Sequence, residues 1–152
     1  MKRFEYRLET VLGYKNQVLD NLKTEHATIM QSVNRKQEQI RGLKQELTGY
    51  ETGFDELKVA GAPIEHYRLF DMCIGRMEKI IDEEKERLNV LKKQENEKKQ
   101  EVIEAKVDTS RYEKLKDRKL REYQKAVARA DETFIEEFVS NTALKTRRQH
   151  RG

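Results

Sequence analysis

Ala60-Gly61-Ala62-Pro63 is the one stretch that interrupts an otherwise helical pattern, and its reading decides the fold. Gly61 can take a positive φ and close a helix at its C-terminal end. Pro63, the only proline in the chain, suits the first turn of a new helix, where its missing N–H is no loss. Glu65 then lies near the positive end of that helix's dipole. A helix on each side of so short a link must run antiparallel to the other.

Outward from the turn, both flanks carry an apolar stripe. On the N-terminal side, Phe4, Leu8, Val11, Val18, Leu22, Ile29, Val33, Ile40, Leu43, Leu47, Tyr50, Phe54 and Leu57 recur at steps of three and four, the signature of a coiled-coil seam. An extra pair of four-residue steps near His26 to Val33 predicts a stutter that locally unwinds the supercoil. On the C-terminal side the stripe runs through Tyr67, Phe70, Ile74, Met77, Ile81, Leu88, Leu91, Val102, Ala105, Tyr112, Tyr123, Val127, Phe134 and Phe138. Its polar entries are Glu84, Glu95, Lys98, Thr109 and Lys116.

If the turn centres on Gly61 and Ala62, facing residue numbers sum to about 123–124 in an antiparallel pair. Phe54 then meets Phe70, Tyr50 meets Ile74, Leu47 meets Met77, Leu22 meets Val102 and Val11 meets Tyr112, apolar on apolar. In the middle, Lys36 falls opposite Leu88, His26 opposite Lys98 and Ile29 opposite Glu95. The expected fold is therefore all-α, a long two-helix antiparallel coiled-coil hairpin with helix 2 longer than helix 1. One hairpin domain covers residues 1–140, with helix 1 over about 3–58, the turn at 59–63 and helix 2 over about 64–139. The paired region would span roughly 80–85 Å, and helix 2 would overhang helix 1 by about 30 Å past Leu120. Residues 141–152 read as a basic, disordered tail.

Composition agrees with solvated helices. Charged residues make up 39% of the chain and the apolar class 36%, with no tryptophan, too little apolar material for a thick core. The 32 basic and 28 acidic side chains nearly balance, so the chain lacks the strong basic excess of a typical nucleic-acid binder. A single cysteine, Cys73, rules out an intrachain disulfide. There is no apolar run long enough to span a membrane and no secretory signal, so a cytoplasmic location is expected.

The chemistry of an enzyme is missing from the pattern. Glycines are scattered singly, not gathered into a phosphate loop. His26, His66 and His150 lie far apart in the register, none near Cys73, so no metal or cofactor is expected. Carboxylates such as Asp82-Glu83-Glu84 sit on polar helix faces with no pocket to shift their pKa values. The run Arg111, Lys114, Lys116, Arg118, Lys119, Arg121 and Lys125, with Tyr112 and Tyr123 among it, is interrupted by Glu113, Asp117 and Glu122. It reads as a solvated charged face, with an acidic protein or a nucleic acid as alternative partners.

Phe4-Glu5-Tyr6-Arg7-Leu8-Glu9-Thr10-Val11-Leu12-Gly13-Tyr14-Lys15 resembles the opening of the FliJ family of flagellar type III export proteins. The turn followed by Tyr67, Phe70, Ile74, Met77-Glu78-Lys79 and Ile81 looks like the start of that family's second helix. Arg111-Tyr112-Glu113-Lys114-Leu115-Lys116-Asp117-Arg118 resembles its aromatic-Glu-Lys-Leu segment, and Asp131-Glu132 with Phe138 its C-terminal stretch. Stalk proteins of virulence secretion systems have a similar layout. The resemblance implies a non-enzymatic, central-stalk coiled coil, similar to the gamma subunit of rotary ATPases. It implies association with a hexameric export ATPase and the cytoplasmic domain of the export gate, handling of export chaperones, and a peripheral place at the inner-membrane export apparatus. Flagellum biogenesis, motility and chemotaxis are the implied processes, and the free hairpin is expected to be monomeric.

Two contact sets follow. Arg3, Phe4, Arg7, Arg118, Arg121, Phe134, Ile135 and Phe138, at the open end, are the expected ATPase contact. Phe70, Cys73, Met77, Ile80 and Glu84, just after the turn, are the expected gate contact, because Ile80 and Ile81 cannot both sit deep in a two-helix seam. The alternatives are a structural spacer or tether and a nucleic-acid-binding coiled coil.

Overall fold

The computed structural model describes residues 2–151; Met1 and Gly152, at the limits of the expected domain and tail, lie outside the described residues. It contains two helices, α1 (Glu9–Ala60) and α2 (Ile64–Arg151), and α2 is the longer. They form an all-α, antiparallel coiled-coil hairpin. Gly61 takes φ of 77°, the left-handed geometry that ends α1, and its N–H donates to the Leu57 carbonyl at 2.9 Å. Pro63 leads into α2, and its carbonyl accepts from the His66 N–H at 3.0 Å. The chain divides into two compact units, Val18–Ala105 and residues 2–17 with 106–151.

The unit Val18–Ala105 is closed at the turn by an aromatic clasp. Phe54 stacks on Phe70 with ring centroids 5.9 Å apart and meets Tyr67 edge-on at 6.0 Å. Lys58 Nζ lies 4.0 Å from the Phe54 ring centre, and the Tyr67 hydroxyl donates to the Leu57 carbonyl at 3.0 Å. Further along, Leu19, Val33, Ile40 and Ile81 are buried, flanked by half-buried Leu22, Leu43, Leu47, Ile74, Leu88 and Val102.

The middle of this unit is polar, and its pairing differs from the simple facing rule. The Lys36 ammonium reaches Glu84 at 2.6 Å, four positions along α2 from Leu88, the residue expected opposite it. His26 bonds Glu95 at 2.8 Å, displaced in the same sense, whereas Lys98 reaches Glu25 at 2.9 Å in the register the facing rule expects. Long polar side chains lean about a turn along the partner helix to reach an opposite charge, which a rule based on facing backbone positions does not register.

The other unit pairs the start of α1 with the second half of α2. Leu12 and Thr109 are buried, and the Thr109 hydroxyl donates to the Lys15 carbonyl at 3.5 Å. Lys15 bonds Asp108 at 2.7 Å and Lys116 bonds Glu9 at 2.8 Å.

Three details depart from the spacing as first read. The deep α1 positions are Leu12 and Leu19, whereas Val11 and Val18 are half-buried. With them in place, Leu12, Leu19, His26, Val33, Ile40, Leu47 and Phe54 form unbroken seven-residue steps, and the stutter disappears. Residues 2–6 are not helical, so α1 opens at Glu9 and not near residue 3. α2 continues to Arg151, well past 139, so residues 141–151 are helical. Nothing in that stretch breaks a helix, and Arg148, His150 and Arg151 lie in its last turn, where positive charge suits the helix dipole.

Candidate interaction surfaces

Residues 2–8 form an arm that lies on α2. Their burial alternates: Phe4, Tyr6 and Leu8 are half-buried, while Arg3, Glu5, Arg7 and Glu9 are exposed. That is the two-residue period of extended chain, with one face docked. The Phe4 ring packs on Tyr123 with centroids 5.6 Å apart. The Tyr123 hydroxyl donates to the Lys2 carbonyl at 2.6 Å, and the Tyr6 hydroxyl donates to the Tyr112 carbonyl at 3.0 Å. The Glu9 N–H donates to the Tyr6 carbonyl at 3.1 Å, which turns the arm into α1.

A groove of about 920 Å³ lies between the arm and α2, with Arg3, Phe4 and Arg7 on one side and Leu115, Lys119 and Tyr123 on the other. Three of the residues expected to meet an ATPase, Arg3, Phe4 and Arg7, are thus brought together. Arg118 and Arg121 are exposed on α2 and do not line the groove; Arg121 Nε donates to the Asp117 carbonyl at 3.4 Å. Phe134, Ile135 and Phe138 lie further along α2, each more than half exposed, in a stretch where every residue from 128 to 151 is exposed. The expected set is therefore spread over one unit in three places: the arm at the groove, Arg118 and Arg121 on the exposed side of α2, and the apolar stripe further along. Tyr6, Tyr123 and Lys119, which line the groove, were not in the expected contact set; the apolar–charged alternation from Arg3 to Glu9 was the signal for the arm.

After the turn, Phe70, Cys73, Met77 and Ile80 are half-buried along one edge. Phe70 is engaged in the aromatic clasp. Glu84 is buried in the seam, held by Lys36 and by Arg87, each at 2.6 Å. The Lys36 hydrogen bond holds the Glu84 carboxyl below the ordinary value of 4.5; burial opposes this, and the charges of Lys36 and Arg87 reinforce it. Glu84 therefore positions charge within the seam. Leu69 and Met72, not singled out from sequence, are the more exposed apolar side chains here.

Two lysines are shifted the other way. Lys15 is raised above 10.5 by its hydrogen bond to Asp108 and the charge of that carboxylate. Lys98 is raised by hydrogen bonds to Glu101 and then Glu25. Among the described residues no group of three or more His, Cys, Asp or Glu side chains converges as a metal site would require. No helix among them is long and apolar enough to cross a membrane.

No curated protein and no solved structure matches the chain. A family model does: that of the Flagellar FliJ protein, which matches residues 4–148 and so takes in the arm, both helices and the exposed stretch of α2. The chain belongs to the FliJ family and is a component of the flagellar type III protein export apparatus.

Proposed function

We propose that this chain is a non-enzymatic central-stalk coiled coil that binds the hexameric export ATPase through the unit formed by residues 2–17 and 106–151. The observation that carries this reading is the exposed apolar stripe of α2. Phe134 is 69% exposed and Phe138 64%, far more apolar surface than an unpartnered helix keeps without reason. Arg3, Arg7, Arg118 and Arg121 supply positive charge on the same unit, suited to an acidic collar on a partner. Phe4, held against Tyr123, anchors the arm that presents two of those arginines.

The export gate is assigned to the edge after the turn. Cys73, Met77 and Ile80 form it, Leu69 and Met72 extend it, and Phe70 and Glu84 hold it from within. Export chaperones belong to the same class of partner. The chain works in the cytoplasm, peripherally at the inner-membrane export apparatus, without a cofactor. A structural tether is the second reading, favoured only by the long helical pairing itself.

The deciding experiment is a pull-down of the export ATPase by the full chain, read together with the ATP hydrolysis rate. Phe134→Ala with Phe138→Ala should weaken capture at least tenfold and remove any effect on hydrolysis, with helicity unchanged. Capture at wild-type strength would sink the assignment. Met77→Ala with Ile80→Ala should spare ATPase capture and impair swimming; full motility would remove the gate contact.

A further inference from the structure

The stretch of α2 from 131 to 151 has a charge order that pairs within that stretch cannot use. Asp131, Glu132, Glu136 and Glu137 form an acidic block, Lys145, Arg147, Arg148 and Arg151 a basic one, and residues 138–144 between them carry no charge. Glu137 and Lys145, the nearest members, stand about 12 Å apart along the axis, beyond the reach of pairs three or four residues apart. The last-turn bases suit the helix dipole, but the acids lie far from the first turn, where that dipole would favour them. The uncharged middle carries Phe138, Val139 and Leu144, all more than half exposed.

We propose that this stretch pairs antiparallel with the same stretch of a second copy of the chain. A two-fold axis near Asn141 sets Asp131 opposite Arg151 and Glu137 opposite Lys145, twice over, as a self-complementary interface requires. It also brings Phe138 and Val139 toward Leu144 and Ala143 of the other copy, across small side chains that allow close approach. The length fits. The arm covers α2 as far as Tyr123, and the exposed stretch 128–151 is about 36 Å long, so the paired segment 131–151 lies clear of the arm. Both charge blocks are exposed, so attraction weakens with salt. The pairing covers part of the stripe assigned above to the ATPase, so the two associations exclude each other. It does not depend on that assignment.

The test uses the full chain alone. Its mass is followed by sedimentation and light scattering from about 50 to about 500 mM salt, where screening shortens from beyond 10 Å to a few. The expected result is twice the chain mass at low salt, falling to one chain at high salt. One variant reverses the acidic block (Asp131, Glu132, Glu136 and Glu137 to Lys), and another reverses the basic block (Lys145, Arg147, Arg148 and Arg151 to Glu). Each alone should be monomeric, and an equimolar mixture should restore a one-to-one pair. A monomeric wild type at low salt, a mixture that stays unpaired, or a dimer that survives in either variant alone would each overturn the proposal. Circular dichroism of the variants verifies that the seam, which they do not touch, remains folded.

Discussion

Glu84 is a carboxylate in the place of a seam hydrophobe, and its two cationic partners explain why it is tolerated there. Its pKa is depressed in the folded chain, so the Lys36 pair stabilises the fold above the unfolded carboxyl's pKa and stops doing so as pH falls through the folded value. Glu84→Gln should therefore lower the melting temperature near pH 7, and the difference from wild type should shrink below about pH 4. A gap that stays constant across that range would remove the ion pair as its cause. Lys15 and Lys98 have raised values, so their pairs act below 10.5 and are lost only in strong alkali. The glycines of α1 divide by the same kind of local test. A Cβ at Gly42 meets nothing within 4 Å, so Gly42→Ala should gain about 1 kcal/mol of helix propensity. A Cβ at Gly53 would lie 3.2 Å from Phe70 Cε1, pressing the ring out of its stack on Phe54. Gly53→Ala should gain clearly less in urea unfolding, and equal gains would mean that the clasp contributes nothing.

At the scale of elements, the two helices and their turn were legible because each rests on a strong local signal. Gly61 and Pro63 mark the break, and alternating steps of three and four mark the seam. The seam's phase at the start of α1 was less legible, because Val11-Leu12 and Val18-Leu19 offer two adjacent apolar residues each and only packing selects the leucines. The arm was missed for a related reason. Phe4, Leu8 and Val11 satisfy a helical spacing, yet Phe4, Tyr6 and Leu8 also satisfy an extended one, and only the latter turns both aromatics onto α2. What tips the balance is non-local: the hydroxyls of Tyr6 and Tyr123 bond carbonyls of Tyr112 and Lys2. Tyr123→Phe keeps the ring contact with Phe4 and removes one of those bonds. It should speed hydrogen exchange of amides 3–8 severalfold and hasten tryptic cleavage after Arg3 and Arg7, while exchange in 18–105 stays as in the wild type. Unchanged exchange in the arm would show that ring packing alone holds it.

For the whole molecule, the residues that hold the seam and the exposed stripe of α2 beyond 128 are different sets. Among the described residues the buried side chains are few, and none is entirely sealed from solvent: Leu12, Leu19, Val33, Ile40 and Ile81, with Glu84 and Thr109 among them. Phe134, Ile135 and Phe138, by contrast, are each more than half exposed and contribute little to stability. This is why the exposed stripe of Phe134, Ile135 and Phe138 was legible in sequence as apolar residues beyond the pairing, whereas the edge of Cys73, Met77 and Ile80 after the turn was only partly so, its members being half-engaged in packing. The separation is testable in one set of variants. Ile40→Ala and Ile81→Ala each delete a buried side chain and should cost roughly 2–5 kcal/mol in denaturant unfolding, with the lost helicity spread beyond the mutated turn. Phe134→Ala with Phe138→Ala, compared with wild type at high salt where the tails of two copies are apart, should leave the unfolding midpoint within experimental error, because no surface buried within the chain is lost, while weakening ATPase capture at least tenfold. If the double variant were instead destabilised as much as Ile40→Ala, the stripe would be covered by its own chain in solution, and it would no longer be available as a docking face.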